Sequence, residues 1–480
     1  MNVDLLIKNG IIVTMNAERG IIDGGTVAIV KDKIIDIGLN SELEGKYAAS
    51  KVIDASKKVV LPGLINCHSH SGMSIFRGVG DDLNLMDAHH RIYDPLIWGP
   101  EVLAEDVYIG SLLSCIDYIK SGQTCIVNHY PKSAEVAKAF ERAGLRAVLA
   151  EFTQDTWLGE VGAGNIPRSM KNKETVLKEV INFIELWNGK ANGRIRCCFG
   201  PTHELMASRE LLKDIAKLSK EYKVDIHMLL AETIGQVNTI LQLYGKRSVE
   251  YIAELGILGP HTHLGHCCWL SPGDIKLLAQ SGTTVVTTPV CEMKISDGIT
   301  PVPMLLQSGV NVALGTDAAG QCTGTNDLIR EMKTLALLHK VNYPLDPGVI
   351  TAETVLEMVT VNGAKALGWE EEIGSLEKGK KADIVMLDLN KSHLTPLLRK
   401  PKLNVVSLLV YSAVGGDIDT MIVDGKIIML NNQILTLNEN QIIEEVQIAA
   451  EKLLERSKVA EQEFPWNWKL YSQNNKFTYR

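Results

Sequence analysis

The chain has 480 residues, 45% of them hydrophobic and 22% charged, with a formal net charge of −8. That length exceeds the usual single core, so one large domain with a companion, or two domains, is expected. The acidic balance leaves no basic footprint for nucleic acid, and the absence of an apolar run of about 18 residues leaves no membrane span.

The first sixty residues read as short strands separated by turns, "DLLIKNGIIVTM" and "TVAIVKDKIIDIG", with Asn9-Gly10 as a turn signal. No basic stretch followed by an apolar core precedes them, so no secretory signal is expected. From Leu61 the rhythm changes to strand followed by helix. "GLINCHSH", "QTCIVNHY", "LRAVLAEF", "IRCCFGPTHE", "VDIHMLLAE", "THLGHCCWL", "TTVVTTPV" and "NVALGTDA" make eight strand-like runs with helical stretches between them. Such alternation implies a parallel sheet, and eight repeats predict an α/β fold built on a closed (β/α)8 TIM-type barrel. After about Gly374 strands return, in "KADIVMLDL", "NVVSLLVYSA", "IDTMIVDGKIIML" and "QILTL". The expected organisation is therefore a split β-sandwich from residues 1–60 and 374–437, a barrel over 61–373, and a C-terminal helix with an aromatic tail over 438–480. Nine cysteines, with vicinal pairs at Cys197–Cys198 and Cys267–Cys268, fit reduced, buried thiols in a cytoplasmic protein better than a disulfide framework.

Active sites of such barrels lie where strands end and βα loops begin. At those ends stand His68 and His70 from strand one, His129 from strand two, and Thr202, His203 and Glu204 after strand four. Strand five carries His227 and then Glu232, strand six His263 and His266, and strand eight Asp317. His68 and His70 lie two apart, so their rings share one face of a strand and can close on one ion. Asp317 leaves an apolar strand, where a carboxylate without a partner is costly. Together they predict one divalent metal ion, zinc foremost, with iron, manganese or nickel also suited to imidazole and carboxylate.

These residues resemble the amidohydrolase superfamily, in the aminohydrolase branch of S-adenosylhomocysteine/methylthioadenosine deaminases, guanine deaminase and triazine hydrolases. The likeness runs through "LPGLINCHSH", "FRGVGDDL", "YGKRSVEYIAELGILGP", "GHCCWL", "DGITPVPMLLQSGVNVALGTD" and "IGSLEKGKKADIVMLDL". The resemblance implies His68, His70 and Asp317 as metal ligands, with Asp317 also acting as a base. It implies Glu232 as the proton-shuttling acid and His266 as the residue that orients the attacking water or the substrate. Its strand-five ligand falls on Leu229; His227, two residues back on the same face, sits about 6–7 Å deeper. His227 therefore enters as a candidate ligand through a shifted or bulged strand, with recruitment of His266, or weak or absent metal binding, as alternatives.

His129, His203 and Glu292 are candidate substrate contacts, Glu292 standing where an amide is usual in the family pattern. Ala88 and Ile97 replace the Trp and Glu of the purine-nucleoside branch, which argues against ribose recognition. The expected activity is metal-dependent release of ammonia from an amidine-like carbon of a nitrogen heterocycle: an aminopurine, pterin, pyrimidine or triazine. The alternatives are hydrolysis of a cyclic amide or of a chloro or thiomethyl heterocycle, and a barrel that binds without catalysing. The partner is a small heterocyclic molecule, with neither nucleic acid nor membrane, and the protein is expected to form a homo-oligomer.

Overall fold

The computed structural model describes residues 1–157, 168–169 and 172–459; the aromatic tail lies outside them. The expected barrel strands are Leu64–Ser69, Gln123–Tyr130, Arg146–Thr153, Ile195–Pro201, Ile226–Leu230, Thr262–His266, Thr284–Thr287 and Val312–Leu314. They pair in chain order as one parallel sheet. A bridge between Ser69 and Asp317 closes the sheet, with the Asp317 and Thr316 amides both donating to the His68 carbonyl at 2.9 and 3.1 Å. The residues read from sequence as ligands therefore lie on the seam of the barrel.

Most of these strands are buried along their length, as a sheet covered on both faces requires. The helices begin where the sequence supplies caps. Thr233, directly after Glu232, caps Ile234–Tyr244 in a reciprocal box with Gln236, and Ser271 with Pro272 and Asp274 starts Pro272–Ser281. At the N-terminal end of the barrel Trp369 packs in one buried cluster with Cys125, Val127, Val148, Ala150, Cys198, Val286 and Ala313. Arg196 and Arg146 stack over its ring, 4.2 and 5.3 Å from the centroid. The barrel floor is thus plugged by the Trp369 indole, and the histidines gather at the opposite end.

The chain ends form one nine-stranded mixed sheet, in the order Gln433–Ile434, Lys426–Leu430, Ile418–Val423, Ile384–Asp388, Lys58–Pro62, Asn2–Val13, Ile21–Val30, Lys33–Leu39. The sheet branches at Asn2–Val13. Its first half pairs with Ala48–Asp54 and its second with Lys58–Pro62. The expected β domain from both chain ends is thus built on a mixed sheet whose long first strand serves two neighbours. Arg146 ties it to the barrel through Asp383, with nitrogen–oxygen distances of 2.8 and 3.0 Å, and all three groups of the Arg146–Asp383–Asp424 cluster are buried. The C-terminal helix, Glu439–Arg456, begins at its Asn438 cap.

Candidate active site

His68, His70 and Asp317 converge at the seam, each offering one ligand atom within 4.8 Å of the others. His70 Nε2 lies 3.6 Å from Asp317 Oδ1, and His68 Nε2 3.8 Å from Oδ2. Neighbouring donors on a tetrahedral zinc stand about 3.4 Å apart, given bonds of about 2.0–2.1 Å to nitrogen and oxygen. The set is therefore close to closing on an ion without backbone movement. His68 Nε2 is buried with no hydrogen-bond partner, a costly arrangement for a group with nothing to bind. These residues fit a divalent cation.

Behind His68 runs a chain of imidazoles. His68 Nδ1 is 2.7 Å from His227 Nε2, and His227 Nδ1 is 2.6 Å from His263 Nδ1. Burial first, and repulsion between rings second, holds His68 and His227 well below the ordinary histidine range. Burial brings His263 down to about 3. All three are neutral at physiological pH. One set of neutral tautomers leaves a lone pair on His68 Nε2: His68 Nδ1–H donates to His227, and His227 Nδ1–H to His263. Such a partner on the second ring nitrogen orients a ligating histidine and raises its basicity. His70 is held in the same way, its Nδ1 donating to the His129 carbonyl.

His227 is thus not brought to the ligand position. The strand shows no bulge: Ile226 to Leu230 pair in unbroken register with Thr262 to His266. The ring stays one layer deeper, where it supports His68. Leu229 presents its side chain to the cavity instead.

His266 and Glu232 complete the upper layer. His266 Nε2 is 3.6 Å from Asp317 Oδ2 and 3.6 Å from Glu232 Oε1, and Thr288 Oγ1 lies 3.1 Å from its Nδ1. Burial works against its proton, yet the carboxylates of Glu232, Asp317 and Glu292 outweigh it and raise the imidazole above the ordinary range. Ala231, His266 and Asp317 all have positive φ, at 49°, 66° and 59°. Left-handed backbone costs a residue with a side chain roughly 1–2 kcal/mol, and such strain clusters at functional sites. Here it turns three strand ends inward, and Glu204 Oε1 steadies one of them by accepting from the Ala231 amide at 3.1 Å.

The remaining sequence candidates part company. His203 lines the cavity, its Nδ1 accepting from the Leu205 amide at 3.1 Å. His129 does not: its Nε2 faces the Gly200 carbonyl at 3.0 Å beneath Phe152. Glu292, expected to meet substrate, turns away from the cavity. Its Oε1 accepts from Thr287 Oγ1, the Thr288 amide and Thr300 Oγ1, and its Oε2 from the Thr300 amide. A carboxylate can replace an amide here because threonine hydroxyls and backbone amides supply donors all round it.

The cavity above the histidines has about 560 Å³ of free space inside and at its mouth. Leu85, Tyr93, Ile97, Trp98, Phe152 and Met206 make its walls apolar. Trp98 stacks on His89, with centroids 5.7 Å apart and planes 7° apart, and packs against Phe152. His89 and Trp98 stand at the two ends of the helical segment His89–Trp98, outside any barrel strand, and Phe152 is an apolar residue one place from the end of strand three, so a search for polar strand ends passes over all three. Asp297 is a further addition. Burial and the Glu232 carboxylate, which it contacts, push its carboxyl up to about 11, so it stays protonated beside that acid.

A sequence profile of the amidohydrolase family matches residues 59–428. The chain belongs to that family. Among curated members it is similar to a 5'-deoxyadenosine deaminase of Methanosarcina acetivorans, 42% identical over 458 residues, covering 95% of this chain and 99% of the relative. It is also similar to a 5-methylthioadenosine/S-adenosylhomocysteine deaminase of Syntrophobacter fumaroxidans, 37% identical over 450 residues, covering 93% and 98%. The fold matches an adenosine deaminase from Xanthomonas campestris solved with bound zinc, at TM-score 0.86, 24% identity and coverage of 95% and 99%. It also matches a guanine deaminase from C. acetobutylicum solved with guanine, at TM-score 0.74, 20% identity and coverage of 88% and 99%.

Proposed function

We propose that this amidohydrolase-family enzyme releases ammonia from the amidine-like carbon of an aminopurine, or of a flat heterocycle of similar shape, carrying an apolar substituent. The chain is a hydrolase of carbon–nitrogen bonds in cyclic amidines, as its relatives are. The observation that carries the reading is the meeting of His68, His70, Asp317, His266 and Glu232 at the base of an apolar-walled cavity. The relatives named for 5'-deoxyadenosine and methylthioadenosine support a purine. Ile97 and Met206 in the wall suit a substituent whose 5' end carries no hydroxyl.

His68, His70 and Asp317 would hold the cation, which supplies Lewis acidity and a water activated near neutral pH. Asp317 takes a proton from the attacking water, its carboxylate facing the protonated His266 Nε2 at 3.6 Å. Glu232 delivers a proton to the ring nitrogen, the proton that Asp317 took from the water goes to the departing ammonia, and the hydroxyl proton lost as the carbonyl forms returns to Glu232. Positioned proton transfer of this kind contributes about 10²–10⁴-fold. His266, carrying its own proton, faces the tetrahedral oxygen and stabilises the developing charge. Trp98, Phe152 and Tyr93 clamp the ring and keep bulk water out.

The test is ammonia release by zinc-loaded enzyme from a panel of 5'-deoxyadenosine, methylthioadenosine, adenosine, adenine, guanine, a pterin and an aminotriazine. Turnover is expected to favour the aminopurines without a 5'-hydroxyl. Chloride or methanethiol release from the corresponding triazines, with no ammonia from any purine, refutes the proposal.

A further inference from the structure

Next to the histidine cluster lies a second group of donors, of which the proposed deamination uses only Asp317. Cys291, Asp317 and Cys322 are all buried, and one ligand atom from each lies within 4.8 Å of the others. Cys291 sits in the first turn of the short helix Pro289–Lys294, directly after strand seven. Cys322 follows strand eight and borders the cavity together with Asp317. The two sulfurs lie within 4.8 Å of one another. Tyr93 donates its hydroxyl proton to Gln321 Oε1 at 2.7 Å, which turns an oxygen lone pair towards Cys322 Sγ, 3.1 Å away. Gln321 is fixed in turn by its own amide bond to the Leu83 carbonyl at 2.9 Å.

We propose that Cys291, Cys322 and Asp317 bind a second, soft divalent cation of the zinc class, with Asp317 as a carboxylate bridging it to the ion of His68 and His70. The surroundings of Asp317 are lopsided. Towards strand five the cavity wall is the hydrocarbon of Leu229, and after strand eight it is the sulfur of Cys322, with Cys291 in reach of both Cys322 and Asp317. Two thiolates balance the charge of a divalent ion, which meets the condition for burying charge at all. Donors on a tetrahedral zinc with bonds of about 2.3 Å to sulfur stand about 3.8 Å apart, so the cluster closes by side-chain rotation. Thiolate ligands select zinc, cadmium or cobalt over magnesium or calcium. Each thiol gives its proton to solvent as its sulfur–metal bond forms, so uptake releases two protons per ion. Two ions sharing one carboxylate would stand about 3.5–4 Å apart, the spacing at which both can act on one reacting centre. This site goes beyond the proposed deamination and does not depend on it.

The test is an anaerobic titration of metal-free, fully reduced protein with cobalt(II), following near-ultraviolet cobalt–thiolate charge transfer and bound cobalt by elemental analysis. Wild-type protein should take up two equivalents and develop the band. The Cys291→Ser/Cys322→Ser protein should take up one and lose the band. The His68→Asn/His70→Asn protein should keep it. Absence of the band from wild type overturns the assignment, as does its survival in the double cysteine variant, where other thiols would be the source. A single equivalent in wild type that carries the band overturns the two-ion arrangement. Far-ultraviolet circular dichroism of each variant checks the fold, and the wild-type spectrum needs no variant at all. None of these readouts involves turnover, so their failure is separate from failure of the ammonia assay.

Discussion

Replacing Leu229 with histidine tests whether the ligand set is open on the strand-five side. Leu229 is 9% exposed and borders the cavity beside His70, Glu232 and Asp317. Its register partner is Gly265, and a Cβ on Gly265 would stand 3.6 Å from the His68 ring. An imidazole at 229 therefore arrives alongside His68 and adds a further donor to its cluster. A partner that merely supports a ligand is worth 10–100-fold in metal affinity, so a donor should tighten zinc binding by at least that factor, about 1.4–2.7 kcal/mol. The metal-free variant should be the less stable protein, losing about 1.5–3 kcal/mol of apolar burial. Loading reverses the order, because a ligand at free concentration L that binds only the folded state stabilises it by RT ln(1 + L/Kd), which grows as Kd falls. The assays are zinc competition against a chromophoric chelator and thermal unfolding with and without zinc. A Leu229→His protein whose affinity is no tighter than wild type, and whose melting temperature zinc raises no further, refutes this placement of the strand-five side chain.

Exchanging His227 for leucine removes the partner of His68 Nδ1 and should weaken zinc affinity about 10–100-fold, read in the same competition assay; no change would show that His68 needs no support. Glu232→Gln should lower kcat by about 10²–10⁴ with metal content unchanged, measured by ammonia release and elemental analysis. His339 is 2% exposed with its Nε2 unpartnered, and burial brings it down to about 4. Below about pH 6.5 the unfolded chain binds a proton that the native protein refuses. Stability is therefore full above 6.5 and falls by about 1.4 kcal/mol per pH unit towards 4. His339→Leu should flatten that slope by this amount in urea unfolding across the same range.

The eight barrel strands were legible because each apolar run ends where a helical pattern begins, and the split companion because strand patterns return after Gly374. His68, His70 and Asp317 were legible as polar groups at the ends of buried strands, and the structure brings them together. Depth was not legible. His227 and Leu229 share a face, and period-two geometry cannot say which of two stacked positions meets an ion when the residue types are exchanged. Glu292 misled because its threonine partners, Thr287, Thr288 and Thr300, come from a strand end and a loop whose folding back no local pattern announces. Cys291 and Cys322 escaped for a related reason: the short helix after strand seven and the turn after strand eight bring them together, and no short motif spans both. The double pairing of Asn2–Val13 is likewise set by a fold in the strand rather than by its alternation.

The seam between Leu64–Ser69 and Asp317 has a consequence for how the protein comes into being. Ser69 and Asp317 are 248 residues apart along the chain. At a synthesis rate of about 5–20 residues per second, roughly 10–50 seconds pass on the ribosome before the first strand can meet the partner that covers its outer edge. Contacts of such separation also slow folding itself, because a long loop must close before they contribute. During that interval the chain carries an open strand edge of the kind that invites pairing with another molecule. Whatever shields "LINCHS" in the nascent chain is thus part of making this enzyme, and the cation that finally bridges His68 and Asp317 would fasten the last join of the barrel.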